Sequence, residues 1–189
     1  MRRLISSLGL LLIGIISLSL TSCANVGASA NNTASAKTRY TEPARQYVDY
    51  ASRMPGHMNT NGQRTIIVDP NKHVWAAYDS NGNLVKAGLA TAGASWCADI
   101  GRSCKTRSGT FRIQSLGHSG CKSSIYPKPR GGAPMPYCMF FNRNMALHGS
   151  NHVVEGNASH GCVRLRVSDA EWLRFNFANV GTKVIVRPY

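Results

Sequence analysis

Negative charge is what this sequence has least of. It carries 8 Asp and Glu against 22 Lys and Arg in 189 residues, a formal net charge of +14 and a pI near 10.0. Such a balance favours polyanionic surroundings: nucleic acid, anionic lipid or an acidic polymer. Its plainer reading is a solvated basic face that keeps the protein soluble. Nucleic acid is disfavoured by a second lack, since no helical, finger or aromatic RNA-binding motif is visible. No internal repeat is apparent, so a repeat architecture is not indicated. No short zinc pattern is present either. The longest apolar run, residues 8–20, is interrupted by small residues and is too short and wrongly flanked for a stable spanning helix.

That run follows Arg2 and Arg3 and reads as a secretory signal over residues 1–22. It ends Leu20, Thr21, Ser22, Cys23, which resembles the bacterial lipobox. By that resemblance Cys23 becomes the lipid-bearing first residue of a lipoprotein on the periplasmic face of a bacterial membrane. The alternative is an ordinary cleaved signal with Cys23 free or paired. Ala24 stands where an aspartate is expected for inner-membrane retention, which favours the outer membrane. Residues 23–63 read as a flexible tether and lead-in, polar at first, with a short helix expected over residues 41–53.

From Arg64 the residues take the pattern of strands. Residues 65–68 and 73–78 are β-rich runs separated by Asp69, Pro70 and Asn71, and Asn81-Gly82-Asn83 supplies a hairpin turn before residues 84–87. Further strands are expected at 109–113, 136–141, 144–147 and 182–186, with a helix at 168–175 capped by Ser168. This is a meander of the kind found in an all-β sheet or sandwich, long enough for one domain over residues 64–189.

The chemistry concentrates in Ser159, His160, Gly161, Cys162, Val163, Arg164 and Leu165, with Leu147-His148-Gly149-Ser150 just upstream. A thiol titrates at about 8.5, so a cysteine nucleophile needs a base, and His148 is the candidate. In this reading the imidazole holds Cys162 as thiolate. Gly161 lets a substrate approach the backbone, and the N–H groups of Gly161 and Cys162 can face an oxyanion. Arg164, two residues on, shares the side of Cys162 if the segment is extended and suits a carboxylate. Local chemistry alone leaves other readings open. An isolated cysteine is more often a small hydrophobe or half of a disulfide, and a zinc site from Cys162, His148, His152 and His160 is a third possibility.

Besides Cys23 and Cys162 there remain Cys97, Cys104, Cys121 and Cys138. An even set in an exported protein suggests two disulfides, for which three pairings exist. Cys97 with Cys104 and Cys121 with Cys138 is preferred. The first pair closes a short loop, and the second clamps the Gly- and Pro-rich segment 117–136, a loop expected near the site.

The run HGSNHVVEGNASHGCVRL resembles the signature of the YkuD-type L,D-transpeptidases. IIVDPNKHVWAAYDSNGNLVKAGLATAG is similar to that family's opening strands, KTRSGTFRI to its "TPxGxF" segment, PYCMFFNRNMALHGS to the approach to the histidine, and VSDAEWL with VGTKVIVRPY to its closing helix and strand. Arg107 stands at or near the position where most members have proline. The resemblance implies a mostly β fold, an L,D-transpeptidase (YkuD-like) β-sandwich with one or two short helices. It also implies a cysteine acyltransferase that cleaves the L,D bond of a peptidoglycan tetrapeptide stem, releases D-alanine and passes the acyl group to an amine. Cys162 would be the nucleophile and His148 the base, with the Gly149 carbonyl as the third member of the triad. Arg164 would bind substrate or brace the site, and Ser159 and His160 would shape it. No cofactor or metal is implied, and no wall-binding LysM repeat is recognisable. The alternatives are an L,D-carboxypeptidase on the same scaffold, or a non-catalytic lipoprotein that binds the wall or a host partner.

Overall fold

β-Branched and aromatic residues dominate residues 65–69 and 74–78, and both runs are buried on two faces rather than alternating. They form β1 (Thr65–Asp69) and β2 (Val74–Tyr78) in a computed structural model that describes residues 48–189. The expected signal segment, Cys23 and most of the tether lie outside the described residues. β3 (Leu84–Thr91), β4 (Gly109–Arg112), β5 (Ser115–Leu116), β6 (Met139–Asn142), β7 (Met145–Gly149), β8 (Val163–Leu165) and β9 (Lys183–Val186) complete one nine-stranded sheet of order β4-β9-β1-β2-β3-β8-β7-β6-β5. Two neighbouring pairs, β1 with β9 and β7 with β8, are parallel.

β3 joins the halves. Its first residues pair with β2, while Ala90 and Thr91 pair with β8. The sheet curls so that its ends meet: Phe111 on β4 lies 5.5 Å from Phe141 on β6, ring centre to ring centre. The space inside the curl holds the main core, including Ile66, Trp75, Leu147, Val163 and Leu165. Fully burying such side chains stabilises the fold by about 1.5–3 kcal/mol each.

The other face of β1–β3 is covered from the lead-in, where Tyr50 and Met54 are buried against Ile67, Ala76 and Tyr78. Of the helix expected at 41–53, the described part shows a single 3-10 turn, Ala51–Arg53. Met54 is extended (φ −126°, ψ 150°) because it precedes Pro55, whose ring disfavours a helical residue before it. The second expected helix is real but shifted. α1 runs Val167–Trp172 and continues as a π turn over Leu173–Phe177. Its N-cap position is Arg166, without a side-chain cap, so Ser168 does not have the capping role read from the sequence. Leu173 and Phe177 enter the core, and Trp172 packs beside Trp75 at 6.5 Å.

Closure of the curl is the feature most exposed to a single change. Phe141→Ala should cost about 3–5 kcal/mol, read as a lowered midpoint in chemical denaturation.

Candidate active site

β7 and β8 run parallel with Leu147 opposite Val163, His148 opposite Arg164 and Gly149 opposite Leu165. Strand alternation sends Leu147, Val163 and Leu165 into the core and His148 and Arg164 to the other face. Cys162, two residues before Arg164, falls on that same face. It packs with Ala146, Met135 and Cys138 in a small cluster that roofs this half of the sheet.

The turn delivering Cys162 is tied internally. Gly161 adopts φ +117°, a conformation that an L side chain rarely takes. Its N–H donates to Ser159 Oγ at 3.1 Å, and the Ser159 hydroxyl in turn donates to the Cys162 carbonyl. This corrects one sequence expectation. The Gly161 N–H does not face an oxyanion, because Ser159 already uses it.

Below the turn lies a support the sequence reading missed. Thr106, 1% exposed, donates from Oγ1 to the Gly161 carbonyl and accepts from the Gly93 N–H, both at 2.9 Å. The Tyr189 hydroxyl donates to the Gly93 carbonyl at 2.8 Å and accepts from the Thr106 N–H at 2.7 Å. The "TPxGxF"-like segment is the signal for this threonine in the sequence. At the departure from that pattern, Arg107 uses the N–H a proline would lack, donating to Met145 Sδ at 3.5 Å.

His148 is 6% exposed, with Nδ1 2.8 Å from the Gly149 carbonyl. A carbonyl only accepts, so Nδ1 carries the hydrogen and Nε2 keeps its lone pair for a proton. Burial pushes the imidazole down to about 4; the Gly149 bond opposes this and the Arg164 charge adds to it. Burial likewise raises the Cys162 thiol, while the Ala146 N–H and Arg164 pull it back. Both shifts favour the uncharged partners, a thiol and a neutral imidazole, where the sequence reading expected a thiolate. The thiol donates to the Asn144 carbonyl at 3.6 Å. Cys162 is free, and Cys97–Cys104 and Cys121–Cys138 are the disulfides, in the preferred pairing.

His160 sits where the two disulfide-closed loops meet. Its Nε2 is 2.8 Å from Asp99 Oδ2, and its ring packs on Tyr126 at 4.6 Å. It also lies within 4.8 Å of the Cys97 and Cys104 sulfurs, but those are bonded to each other and are not thiolate ligands. The alternative zinc set of Cys162, His148, His152 and His160 is not gathered to ligand distance among the described residues. Arg164 is partly buried and has no carboxylate partner among the described residues. It faces a cavity of about 610 Å³ shared with Cys162, His148, His160, Lys122 and Arg102, with no Asp or Glu in its lining.

The sequence matches the model of the YkuD family, the L,D-transpeptidase catalytic domain, over residues 63–186. The chain belongs to this family. No curated protein matches the sequence. Among solved structures, the YkuD domain is similar to the L,D-transpeptidase of Xylanimonas cellulosilytica at 22% identity and TM-score 0.59, covering 72% of this chain and 66% of that one. The L,D-transpeptidase of Mycobacterium smegmatis aligns at 18% identity and TM-score 0.54, covering 67% and 59%. L,D-transpeptidase 3 of Mycobacterium tuberculosis, solved with a faropenem-derived adduct, aligns at 21% and 0.53, covering 66% and 60%. At these identities the likeness is one of fold, and this chain spans only 59–66% of those solved chains.

Because only a thiolate alkylates readily, Cys162 of this YkuD domain should react with iodoacetamide more slowly at pH 7 than the same cysteine in unfolded protein. The rate should climb through the alkaline range beyond the ordinary thiol value. A rate plateau already reached below pH 7 would reveal a preformed thiolate–imidazolium pair instead.

Proposed function

We propose that the domain is a peptidoglycan L,D-transpeptidase that uses Cys162 as nucleophile and His148 as proton shuttle. The observation that carries this is a free thiol two residues before the residue paired with His148, whose Nδ1–H is committed to a backbone carbonyl, beside a guanidinium without a carboxylate partner among the described residues. Family membership supports it independently.

Cys162 Sγ attacks the carbonyl carbon between the third stem residue and the terminal D-alanine as His148 Nε2 takes the thiol proton. Since both groups start neutral, charge separates only as the bond forms. The Gly149 carbonyl holds the imidazolium in place, and the Cys162 N–H is the oxyanion donor that remains once Ser159 has taken that of Gly161. Collapse breaks the C–N bond, and His148 returns the proton to the departing D-alanine amine. The thioester is then attacked by an acceptor amine, whose proton passes to His148 and on to the released thiol. Arg164, without a carboxylate partner among the described residues, holds a carboxylate of the donor. Ser159 and His160 shape the turn and the wall.

The domain is held at the periplasmic face of a bacterial membrane, the outer one, by a lipid on Cys23. Support comes from the sequence of residues 1–23 and from two disulfides, which an oxidising compartment maintains. Cys23→Ser should move the protein from the membrane to the soluble fraction on cell fractionation.

Purified protein incubated with a disaccharide tetrapeptide should release D-alanine and yield cross-linked dimers by mass spectrometry. Tripeptide without dimers would make it an L,D-carboxypeptidase, and neither product would overturn the proposal. Cys162→Ala should abolish turnover, and His148→Ala should lower kcat/KM by about 10²–10⁴-fold. With His148 neutral down to about 4, the acid limb of kcat/KM should fall there and not near 6.5.

A further inference from the structure

The positive charge read from the composition is not spread evenly over the chain. Between Cys97 and Gly149 there are eight Lys and Arg residues and a single carboxylate, Asp99. That carboxylate is occupied by His160. The other ion pairs among the described residues, Arg53–Glu155, Lys86–Asp169 and Arg187–Asp69, involve none of these eight.

Their placement follows from the loops that build the cavity. Lys122 and Arg102 line it. Lys128 and Arg130 lie at the exposed tip of the loop between Cys121 and Cys138. That loop is braced by backbone bonds from Ala133 N–H to the Tyr126 carbonyl at 2.9 Å and from Gly131 N–H to the Pro127 carbonyl at 2.7 Å. Tyr126 of the same loop rests on His160. Arg143 is exposed in the β6–β7 turn, next to Asn144, whose carbonyl accepts from the Cys162 thiol. Arg107 is exposed and holds Met145, another cavity residue, through its N–H. Six of the eight, Arg102, Arg107, Lys122, Lys128, Arg130 and Arg143, therefore lie on or beside the segments that form the mouth, with no acidic partner among the described residues, while Lys105 and Arg112 bond to Tyr189 and Gly181.

We propose that this basic rim is a docking surface for the polymeric wall itself, a glycan bearing peptide carboxylates at regular intervals, and that it acts separately from the chemistry at Cys162. The proposal rests on the function proposed above for its choice of polymer. A single exposed ion pair contributes little. Several fixed cations meeting a repeating polyanion act together, through counterion release and high effective concentration, and the attraction falls steeply with salt. Because the loop tip is braced, little ordering is lost on contact.

The test uses the full chain and insoluble peptidoglycan sacculi in a co-sedimentation assay across a salt series. Wild type should bind with strong salt dependence. The combined change Lys128→Glu, Arg130→Glu and Arg143→Glu should weaken binding by about tenfold or more at low salt and flatten the salt dependence. The milder Lys128→Gln, Arg130→Gln and Arg143→Gln set should fall between and guards against misfolding of the charge-reversed protein. Turnover of a soluble tetrapeptide should stay within about twofold in both sets, because none of the three lines the cavity. Unchanged sedimentation of the reversed variant, salt-independent binding by wild type, or tighter binding to phosphatidylglycerol vesicles than to sacculi would each overturn the proposal. Binding without any turnover by wild type would instead leave the rim standing and remove the transpeptidase reading.

Discussion

The parallel pairing of β7 with β8 is the constraint on which the rest depends. It is a short ladder, yet its register alone decides that His148 stands across from Arg164, two residues along the chain from Cys162. Strand alternation makes that register all-or-none. A slip of one residue would bury His148 and Arg164 in the apolar curl and turn Leu147 and Leu165 outward, exchanging every side chain between core and site. The register is held from both sides. The core side chains Leu147, Val163 and Leu165 lock one face. On the other, β8 is fixed to β3 through Ala90 and Thr91, and the connecting loop is pinned by Thr91, whose hydroxyl donates to the Val154 carbonyl at 2.6 Å.

This arrangement explains why the turn at residues 159–162 is so heavily bonded. Gly161 supplies a conformation that other residues avoid, and such freedom is costly unless the surroundings remove it. Ser159 removes it from within by bridging the Gly161 N–H and the Cys162 carbonyl. Thr106 and Tyr189 remove it from below, through Gly161 and Gly93. No space is left for a side chain at Gly93, where an added Cβ would lie 2.0 Å from the Cys104 carbonyl oxygen. The short Cys97–Cys104 loop therefore packs directly against the support of the Cys162 turn and also supplies Asp99 to His160.

Legibility in the sequence followed the range of the interactions involved. β1, β2, β4, β6, β7 and β9 were readable because β-branched and aromatic runs and turn residues act locally, and Cys162 and His148 were readable because their spacing is a recurrent pattern. β8 was less so: three residues inside a motif show no period, and only pairing with β3 and β7 makes them a strand. The outer cover of Tyr50 and Met54 was hidden because the lead-in carries little apolar residue of its own, and its burial depends on a sheet face that looks internal already. Thr106 was missed because a buried hydroxyl acquires its role from carbonyls that lie far away in sequence. The desolvation of the site was hidden for the same reason. Proximity of an imidazole argues for thiolate, whereas burial raises the thiol, and burial is a property of the packed loops.

The raised thiol has a consequence for the cavity as a whole. Cys162 shares its cluster with Cys121 and Cys138, which are joined to each other in the roof. Thiolates, not thiols, attack disulfides, and their rate scales with the ionised fraction. A Cys162 thiolate in that cluster would be able to rearrange the bond, and the free thiol and the roof would both be lost. A thiol raised by its surroundings is slower in that exchange. The buried, depressed imidazole and the partly exposed, raised thiol thus belong together. One environment disfavours charge on both, and the same bias slows exchange between the free cysteine and the disulfide in its cluster.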